Sequence, residues 1–318
     1  MRDASQNPVV AMALLNANQR EETLLRNRSR QQRIRMAQQR KEQRMKIHRA
    51  TGSALGEPSP LQRRFACDWQ GYTPALPPFE GCSRTRRIPL KDIAGHIDWM
   101  YFYWAWRVKE DSDEGRMLRA DAEQRIERMA ADTRYDMLAV QTFLPARGTE
   151  DSITTPMTVI HTPRQAERDA NGHRREQCLA LCDFVSPLGN DFVGAFAATV
   201  APAFVEELEQ LKQAAKDDYE CLLMQTIGDR LAEATAEFLG KELADGYTSE
   251  TDGTTQKWGG IRPAIGYPSL PEQKAIFSLK PILDFDAVGI SLTENGAMYP
   301  QASVAGLYIS HPDARYFG

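Results

Sequence analysis

A block rich in glycine and proline near the carboxyl end of the chain combines residue types that suit a small charged ligand. It runs from Trp258 to Glu272 with the sequence WGGIRPAIGYPSLPE. Proline restricts the backbone, and glycine allows a ligand to approach closely. Arg262 can bind a carboxylate through its two-pronged guanidinium, while Tyr267 and loop carbonyls can orient other polar atoms. The block indicates a zwitterion site, although proline-rich surface loops without a ligand share this composition.

A second unusual segment is aromatic. Between Asp92 and Val108, six aromatic side chains fall within eight positions: Trp99, Tyr101, Phe102, Tyr103, Trp104 and Trp106. So many rings need either a core on several sides or a large planar ligand. The spacing leaves both interpretations open.

Sequence motifs of several common enzyme classes are missing. The chain has neither the GxGxxG loop of dinucleotide sites nor the GxxxxGK[ST] loop of P-loop phosphate sites. Its five histidines lack the HExxH spacing, which predicts no metal centre. Cys178 and Cys182 are four positions apart, but Val185 stands where a third cysteine of an iron–sulfur motif is expected. We interpret the two cysteines as buried thiols on a helix.

Length and composition bound the class of protein. With 318 residues, 42% of them hydrophobic, and a net charge of −4, the chain is expected to form one or two soluble domains. No apolar run is long enough for a membrane span, and no secretory signal follows Met1. Five cysteines are an odd number and too sparse for a disulfide framework, which predicts a cytoplasmic protein.

The charge is unevenly distributed along the chain. Residues 1–50 carry twelve basic and four acidic residues, a net +8, which leaves −12 for the remainder. Without glycine or proline between Val9 and Ala50, this arm is predicted to be a long helix. Twelve basic residues could also indicate an arm that binds nucleic acid rather than a solvated helix. The arm, however, has no aromatic residues for base stacking, and no DNA-binding signature follows it. We therefore predict no nucleic-acid partner.

The rest of the chain has the mixed composition of a globular domain. Prolines and glycines over residues 51–63 predict a linker before a domain at 64–318. Apolar runs predict strands at 137–144 and 191–200. Between 204 and 247, apolar residues recur at spacings of three and four, which predicts a helix.

Two more strands are predicted near the carboxyl end. They lie at 288–292 and 304–309, around a turn that contains Asn295 and Gly296. Because strands and helices do not alternate regularly, the fold class is α+β rather than a doubly wound sheet.

Seven blocks after the linker occur in the order of a known family. They are FACDWQGYTP from Phe65, HIDWMYFYWAW from His96, CDFVSP from Cys182, DFVGAFAATV from Asp191, DRLAEATAEFL from Asp229, GIRPAIGYPSLPE from Gly260 and SHPDARYF from Ser310. Together they resemble the C-terminal activation domain of cobalamin-dependent methionine synthase, which binds S-adenosylmethionine. The resemblance implies a central, mainly antiparallel sheet flanked by helices and preceded by a long helical arm.

At its two ends the sequence differs from the complete family pattern. Residues 1–50 resemble the last helix of the preceding cobalamin-binding domain and its connector, but the upstream cobalamin fold and its DxHxxG motif are missing. The chain stops at Gly318, where the family continues for another helical stretch. The resemblance therefore implies a C-terminally truncated activation domain at 64–318, belonging to a longer enzyme or to a split one.

Eight residues of this sequence occupy the motif positions that contact the ligand in the family. The resemblance implies that the S-adenosylmethionine site contains Asp98, Glu233, Arg262, Ala264, Gly266, Tyr267, Tyr316 and Phe317. Arg262 is expected to bind the ligand carboxylate, and Asp98 to meet a cation or donor beside rings that cover the sulfonium. Without the resemblance, Asp98 would be interpreted as a helix cap, Glu233 as a solvated residue and Tyr316 as core.

The resemblance implies a reactivation role without acid–base catalysis by this chain. An electron from flavodoxin or a similar donor reduces inactive cob(II)alamin, held by a separate domain or subunit, which then takes the methyl group of S-adenosylmethionine. This chain would position the methyl donor and exclude water, without sufficing for turnover alone. Two alternatives remain open: a stand-alone reactivation module for another corrinoid protein, and a non-catalytic S-adenosylmethionine-binding protein.

Overall fold

The computed structural model describes residues 59–214 and 218–318. The predicted basic arm and the linker up to residue 58 lie outside the described residues. At the end of the predicted linker, Leu61–Arg63 forms one 3-10 turn. From Phe65 onward the chain packs against the buried core. None of the described helices is long and apolar enough to cross a membrane.

Helices and strands alternate irregularly along the described chain. The described α-helices are α1 Leu90–Ile93, α2 Trp99–Trp106, α3 Asp113–Ala130, α4 Pro202–Ala214 and α5 Asp218–Asp245. The described strands are β1 Arg84–Ile88, β2 Met137–Gly148, β3 Ser152–Thr154, β4 Val159–His161, β5 Asp191–Thr199, β6 Tyr247–Thr248, β7 Thr255–Gln256, β8 Ser291–Leu292, β9 Met298–Tyr299 and β10 Ser303–Tyr308. The predicted strands at 137–144 and 191–200 and the predicted helix between 204 and 247 are confirmed.

A six-stranded antiparallel sheet forms the centre of the fold. Its strand order is β10-β5-β2-β3-β4, with β1 pairing beside β2. Alternate residues of β5 enter two different cores: Phe196 and Ala198 join one, while Ala195 and Ala197 join the other. A strand buried on both faces needs apolar residues at every position, which explains the continuous run that predicted it.

The first core lies between the sheet and the helices. On α5, Leu223, Ile227 and Leu231 are almost fully buried there, as their spacing predicted. The second core fills the opposite face of the sheet, where 3-10 turns and irregular segments cover it. The α+β fold class with a mainly antiparallel sheet is therefore confirmed.

The pairing of the last strands differs from the prediction. The turn with Asn295 and Gly296 joins β8 to β9, not the segment at 288–292 to that at 304–309. Pro300 has no N–H group to continue the β9 pairing. β10 instead pairs with β5, where Leu307 is fully buried. A short turn determines only its flanking pairs, whereas burial of an apolar strand favours the central sheet.

The helix predicted for the cysteine pair is also wrong. Cys178 and Cys182 are buried, but Cys178 lies in a segment without regular secondary structure and Cys182 in the 3-10 turn Leu181–Phe184. Asp183 explains the local backbone: its carboxylate accepts the Ala180 N–H at 3.0 Å and pairs with Arg164 at 2.6 Å. Through these buried bonds the Asp183 side chain gives the Ala180 N–H a hydrogen-bond partner that does not depend on a longer helix.

Candidate functional site

A cleft of about 490 Å³ opens where three parts of the sequence meet. They are the segment that begins α2, one face of α5, and the glycine- and proline-rich loop after β7. The lining residues are His96, Asp98, Tyr101, Arg230, Glu233, Ala234, Glu237, Arg262 and Tyr267. Residues that are far apart in the chain thus face one concave surface.

Asp98 performs two tasks at the start of α2. Its Oδ1 accepts the N–H of Met100 at 2.9 Å, which caps the helix, and the residue also lines the cleft. One turn later, neighbouring aromatic side chains face different surroundings. Phe102 and Tyr103 are buried in the core, whereas Tyr101 lines the cleft with 44% of its surface exposed. The segment therefore supplies core rings and a cleft ring together.

One stripe of α5 forms the opposite wall. Arg230, Glu233 and Glu237 are spaced by three and four residues, so they share a helical face. The guanidinium carbon of Arg230 lies 5.7 Å from the Tyr101 ring centroid, within cation–π range. This contact links the α5 wall to the α2 wall.

The loop is held against β10 by backbone bonds. Ile265 donates its N–H to Ala305 at 2.9 Å, and Leu307 donates to Pro263 at 2.9 Å. Gly306 permits this approach, because a Cβ there would lie 2.4 Å from the Pro263 oxygen. The loop thus takes its position from the central sheet.

A tight turn aims Tyr267 at α5. Tyr267 donates its N–H to the Ala264 oxygen at 3.3 Å, and Gly266 between them has a φ of +88° that favours glycine. The Tyr267 hydroxyl donates to Glu233 Oε1 at 2.6 Å. Loop and helix are therefore joined across the cleft.

Arg262 contacts both an acidic and an aromatic side chain at the cleft. Its Nη2 donates to Glu237 Oε2 at 3.0 Å, and its guanidinium carbon lies 5.6 Å from the Phe196 ring centroid. Only 16% of the side chain is exposed. Behind it, burial holds the pKa of the Tyr308 phenol well above its usual range, so that side chain remains neutral. Because a guanidinium has five N–H donors, the bond to Glu237 leaves others for a ligand.

The cleft contains four of the eight predicted site residues: Asp98, Glu233, Arg262 and Tyr267. Ala264 and Gly266 build the turn beside it. Tyr316 accepts the backbone N–H of Arg262 at 3.0 Å and so supports the loop. Phe317 lies behind the loop, where its N–H donates to Ser269 Oγ at 2.9 Å and its ring packs against the second core.

Five lining residues were not among the predicted ones: His96, Tyr101, Arg230, Ala234 and Glu237. The sequence contained a signal for three of them: Arg230 and Glu237 are one helical turn from Glu233, and Ala234 is one turn from both Arg230 and Glu237. His96 and Tyr101 belong to the same sequence block as Asp98. Helical spacing around the predicted residues could therefore have found most of the cleft.

The charged side chains of the cleft favour a cation. Three carboxylates, from Asp98, Glu233 and Glu237, face two guanidinium groups, from Arg230 and Arg262, a formal sum of −1. Arg262 supplies a local site for a carboxylate within this acidic surface. The cleft thus suits a zwitterion that carries an additional positive charge.

Comparison with known proteins identifies the family of this chain. The family model described as vitamin B12 dependent methionine synthase, activation domain, matches residues 89–318. Among solved structures, the crystal structure of the MetH reactivation domain bound to AdoHcy is similar, with a TM-score of 0.69 and 29% sequence identity. The match covers 81% of this chain and 87% of that chain. The chain therefore belongs to the family of activation domains of vitamin B12-dependent methionine synthase.

Proposed function

We propose that the cleft binds S-adenosylmethionine and presents its methyl group to cobalamin carried by a separate domain or subunit. Flavodoxin or a similar donor would supply the electron, and the pathway served would be methionine biosynthesis. The observation that carries this proposal is the convergence of Asp98, Glu233, Arg262 and Tyr267 on one cleft. Support comes from the similar MetH domain bound to AdoHcy, which is the same ligand without its methyl group.

Arg262 fits the carboxylate of the ligand. A guanidinium binds a carboxylate through two parallel N–H bonds, and such charge-assisted bonds are stronger than neutral ones. Glu237 and Phe196 already hold the Arg262 side chain in place. Little side-chain entropy is therefore lost when the ligand binds.

The acidic surface fits the cationic part of the ligand. S-adenosylmethionine carries a sulfonium and an ammonium against one carboxylate, a net +1, whereas S-adenosylhomocysteine is neutral overall. The cleft has a formal charge of −1 and a half-exposed Tyr101 ring. Carboxylates and an aromatic face both attract a sulfonium. We infer that the cleft prefers the methylated ligand.

The residues of this chain act by binding and positioning. Cobalamin, when presented by its own domain, supplies the nucleophile for the methyl group. Arg262 and Tyr267 would orient the donor, and the walls of α2 and α5 would limit access of water to it. Because the leaving group is a neutral thioether, no side chain of the cleft has to transfer a proton.

Two measurements on the full 318-residue chain test the proposal. Isothermal titration calorimetry should show S-adenosylmethionine binding at one site per chain. With a cobalamin-loaded partner domain and a flavodoxin reductant, label from methyl-labelled S-adenosylmethionine should reach cobalamin only when this chain is present. Binding without label transfer would favour a non-catalytic binding protein, and absence of binding would refute the site.

Glu233→Gln should lower the preference of the cleft for the methylated ligand. The substitution retains side-chain size and removes one of the three negative charges of the cleft. Because the group is partly exposed, we expect S-adenosylmethionine affinity to fall about 3- to 5-fold, in line with half-solvated charge interactions. The affinity of neutral S-adenosylhomocysteine should change less.

Glu242→Gln provides the matched control, because Glu242 is on the same helix but pairs with Arg86 outside the cleft. That variant should bind both ligands like the parent. If Glu233→Gln weakens both ligands equally, Glu233 acts by holding Tyr267, and the charge argument is wrong.

A further inference from the structure

A second group of reactive side chains is not among the residues that line the cleft. Cys67, His311 and Asp313 place one potential metal-ligand atom each within 4.8 Å of one another. Cys67 belongs to the FACDWQGYTP block and His311 to the SHPDARYF block. The proposed S-adenosylmethionine site assigns no role to either residue.

The sulfur and the imidazole are correctly spaced for one ion. Cys67 Sγ and His311 Nδ1 are 3.6 Å apart, across 244 positions of sequence. A zinc ion holds sulfur at about 2.3 Å and nitrogen at about 2.0 Å, which puts the two atoms roughly 3.5 Å apart at a tetrahedral angle. The observed separation therefore matches two ligands of one tetrahedral ion.

The hydrogen bonds of His311 identify the nitrogen that would bind. Nδ1 accepts the N–H of Asp313 at 3.1 Å, so this atom carries the lone pair, and it is the one that faces Cys67. Trp69 and Tyr72 both contact the imidazole, with ring centroids 4.8 Å from its own, and they also contact each other at 5.2 Å. Metal binding would replace the Asp313 hydrogen bond and needs little ring rotation.

Access and charge also suit a divalent cation. Cys67 and His311 are 7% and 3% exposed, whereas Asp313 is exposed, so an ion can enter from the solvent side. Cys67 also lines a second cavity. A thiolate and a carboxylate together neutralise the two positive charges of the ion.

We propose that Cys67, His311 and Asp313 bind one Zn²⁺ ion, with water as the fourth ligand. A mixed sulfur, nitrogen and oxygen ligand set is typical of zinc, and three protein ligands leave one open position. On binding, a Zn–S bond replaces the Cys67 S–H bond, and the proton passes to solvent. The ion would connect the start of the domain to its last segment.

Cobalt and zinc titrations of the full, metal-stripped chain test this site. Co²⁺ should bind at one equivalent and give the near-ultraviolet absorption band of a cobalt–thiolate bond, and one equivalent of Zn²⁺ should abolish the band. Zn²⁺ should also raise the Tm of the chain. Outer-sphere partners alone change metal affinity about 10- to 100-fold, so Cys67→Ser should lose at least 100-fold and the band.

Cys182→Ser is the matched control, because it removes another buried thiol that lines the same second cavity. It should keep the cobalt band and the zinc affinity. Should Cys67→Ser fail to fold, Asp313→Asn alters an exposed side chain and should still weaken Zn²⁺ about 10-fold. No band at one equivalent in the parent chain, or a band that persists in Cys67→Ser, would overturn the proposal.

Discussion

Arg262→Ala is expected to weaken S-adenosylmethionine binding about 100-fold, or roughly 2.8 kcal/mol. The variant removes the two-pronged donor for the ligand carboxylate and also leaves Glu237 without its 3.0 Å partner in the cleft. Truncating one member of a buried charge pair costs about 2–5 kcal/mol in binding, and the estimate is at the low end because the Glu237 side chain is 62% exposed. Calorimetry with S-adenosylmethionine measures the effect. Arg262→Lys should recover only part of the affinity, because an ammonium lacks the planar fork.

Arg86→Ala is the control for this experiment. Arg86 also pairs with a glutamate of α5, Glu242, at 2.6 Å, but it lies outside the cleft. Its loss should leave ligand affinity unchanged within about 2-fold, as expected for an exposed pair. Equal affinity of Arg262→Ala and the parent would remove Arg262 from the site.

Substitutions at Gly306 are expected to lower the stability of the chain and to displace the loop that carries Arg262. A Cβ at this position would lie 2.4 Å from the Pro263 oxygen and 2.9 Å from the Ala264 Cα. These are backbone atoms, so the loop must move away from β10 and lose its hydrogen bonds. We expect Gly306→Ala to lower the free energy of unfolding by about 2 kcal/mol and Gly306→Val by about 3 kcal/mol. Because the loop carries Arg262, ligand affinity should also fall about 10-fold.

Two comparisons separate the clash from other effects. Valine favours strands more than glycine, so local propensity alone would make Gly306→Val stabilising. Gly95→Ala adds the same methyl group where no atom lies within 4 Å and should be neutral within about 0.5 kcal/mol. Urea denaturation measures all three variants. A Gly306→Val protein as stable as the parent would show that the loop is not held by this approach.

The spacing of apolar residues within a single helix or strand was enough to predict the main regular elements. The spacing of Leu223, Ile227 and Leu231 predicted α5, and continuous apolar runs predicted β2 and β5. The pattern did not show which strands pair. Asn295 and Gly296 correctly predicted a turn, but its partner strand was wrong, because long-range burial placed β10 in the central sheet.

The candidate site was visible in the sequence only in parts. The composition after Trp258 predicted an irregular loop with Arg262, and the loop is confirmed. Nothing in the spacing connected that loop to Asp98 or Glu233, and the family resemblance alone indicated that they belong together. Their meeting at one cleft follows from the order of strands and the packing of α2 and α5 on the sheet.

The sequence by itself determined residue chemistry and local conformation: a proline-stiffened loop with one arginine, an aromatic segment, a long amphipathic helix and two buried strands. Only the tertiary structure decided which of these residues meet. It brought Arg262 to Glu237, and Cys67 to within 3.6 Å of His311 across 244 positions. The physical reason is that propensity and periodicity act over a few residues, whereas these contacts depend on how apolar faces pack over the whole domain.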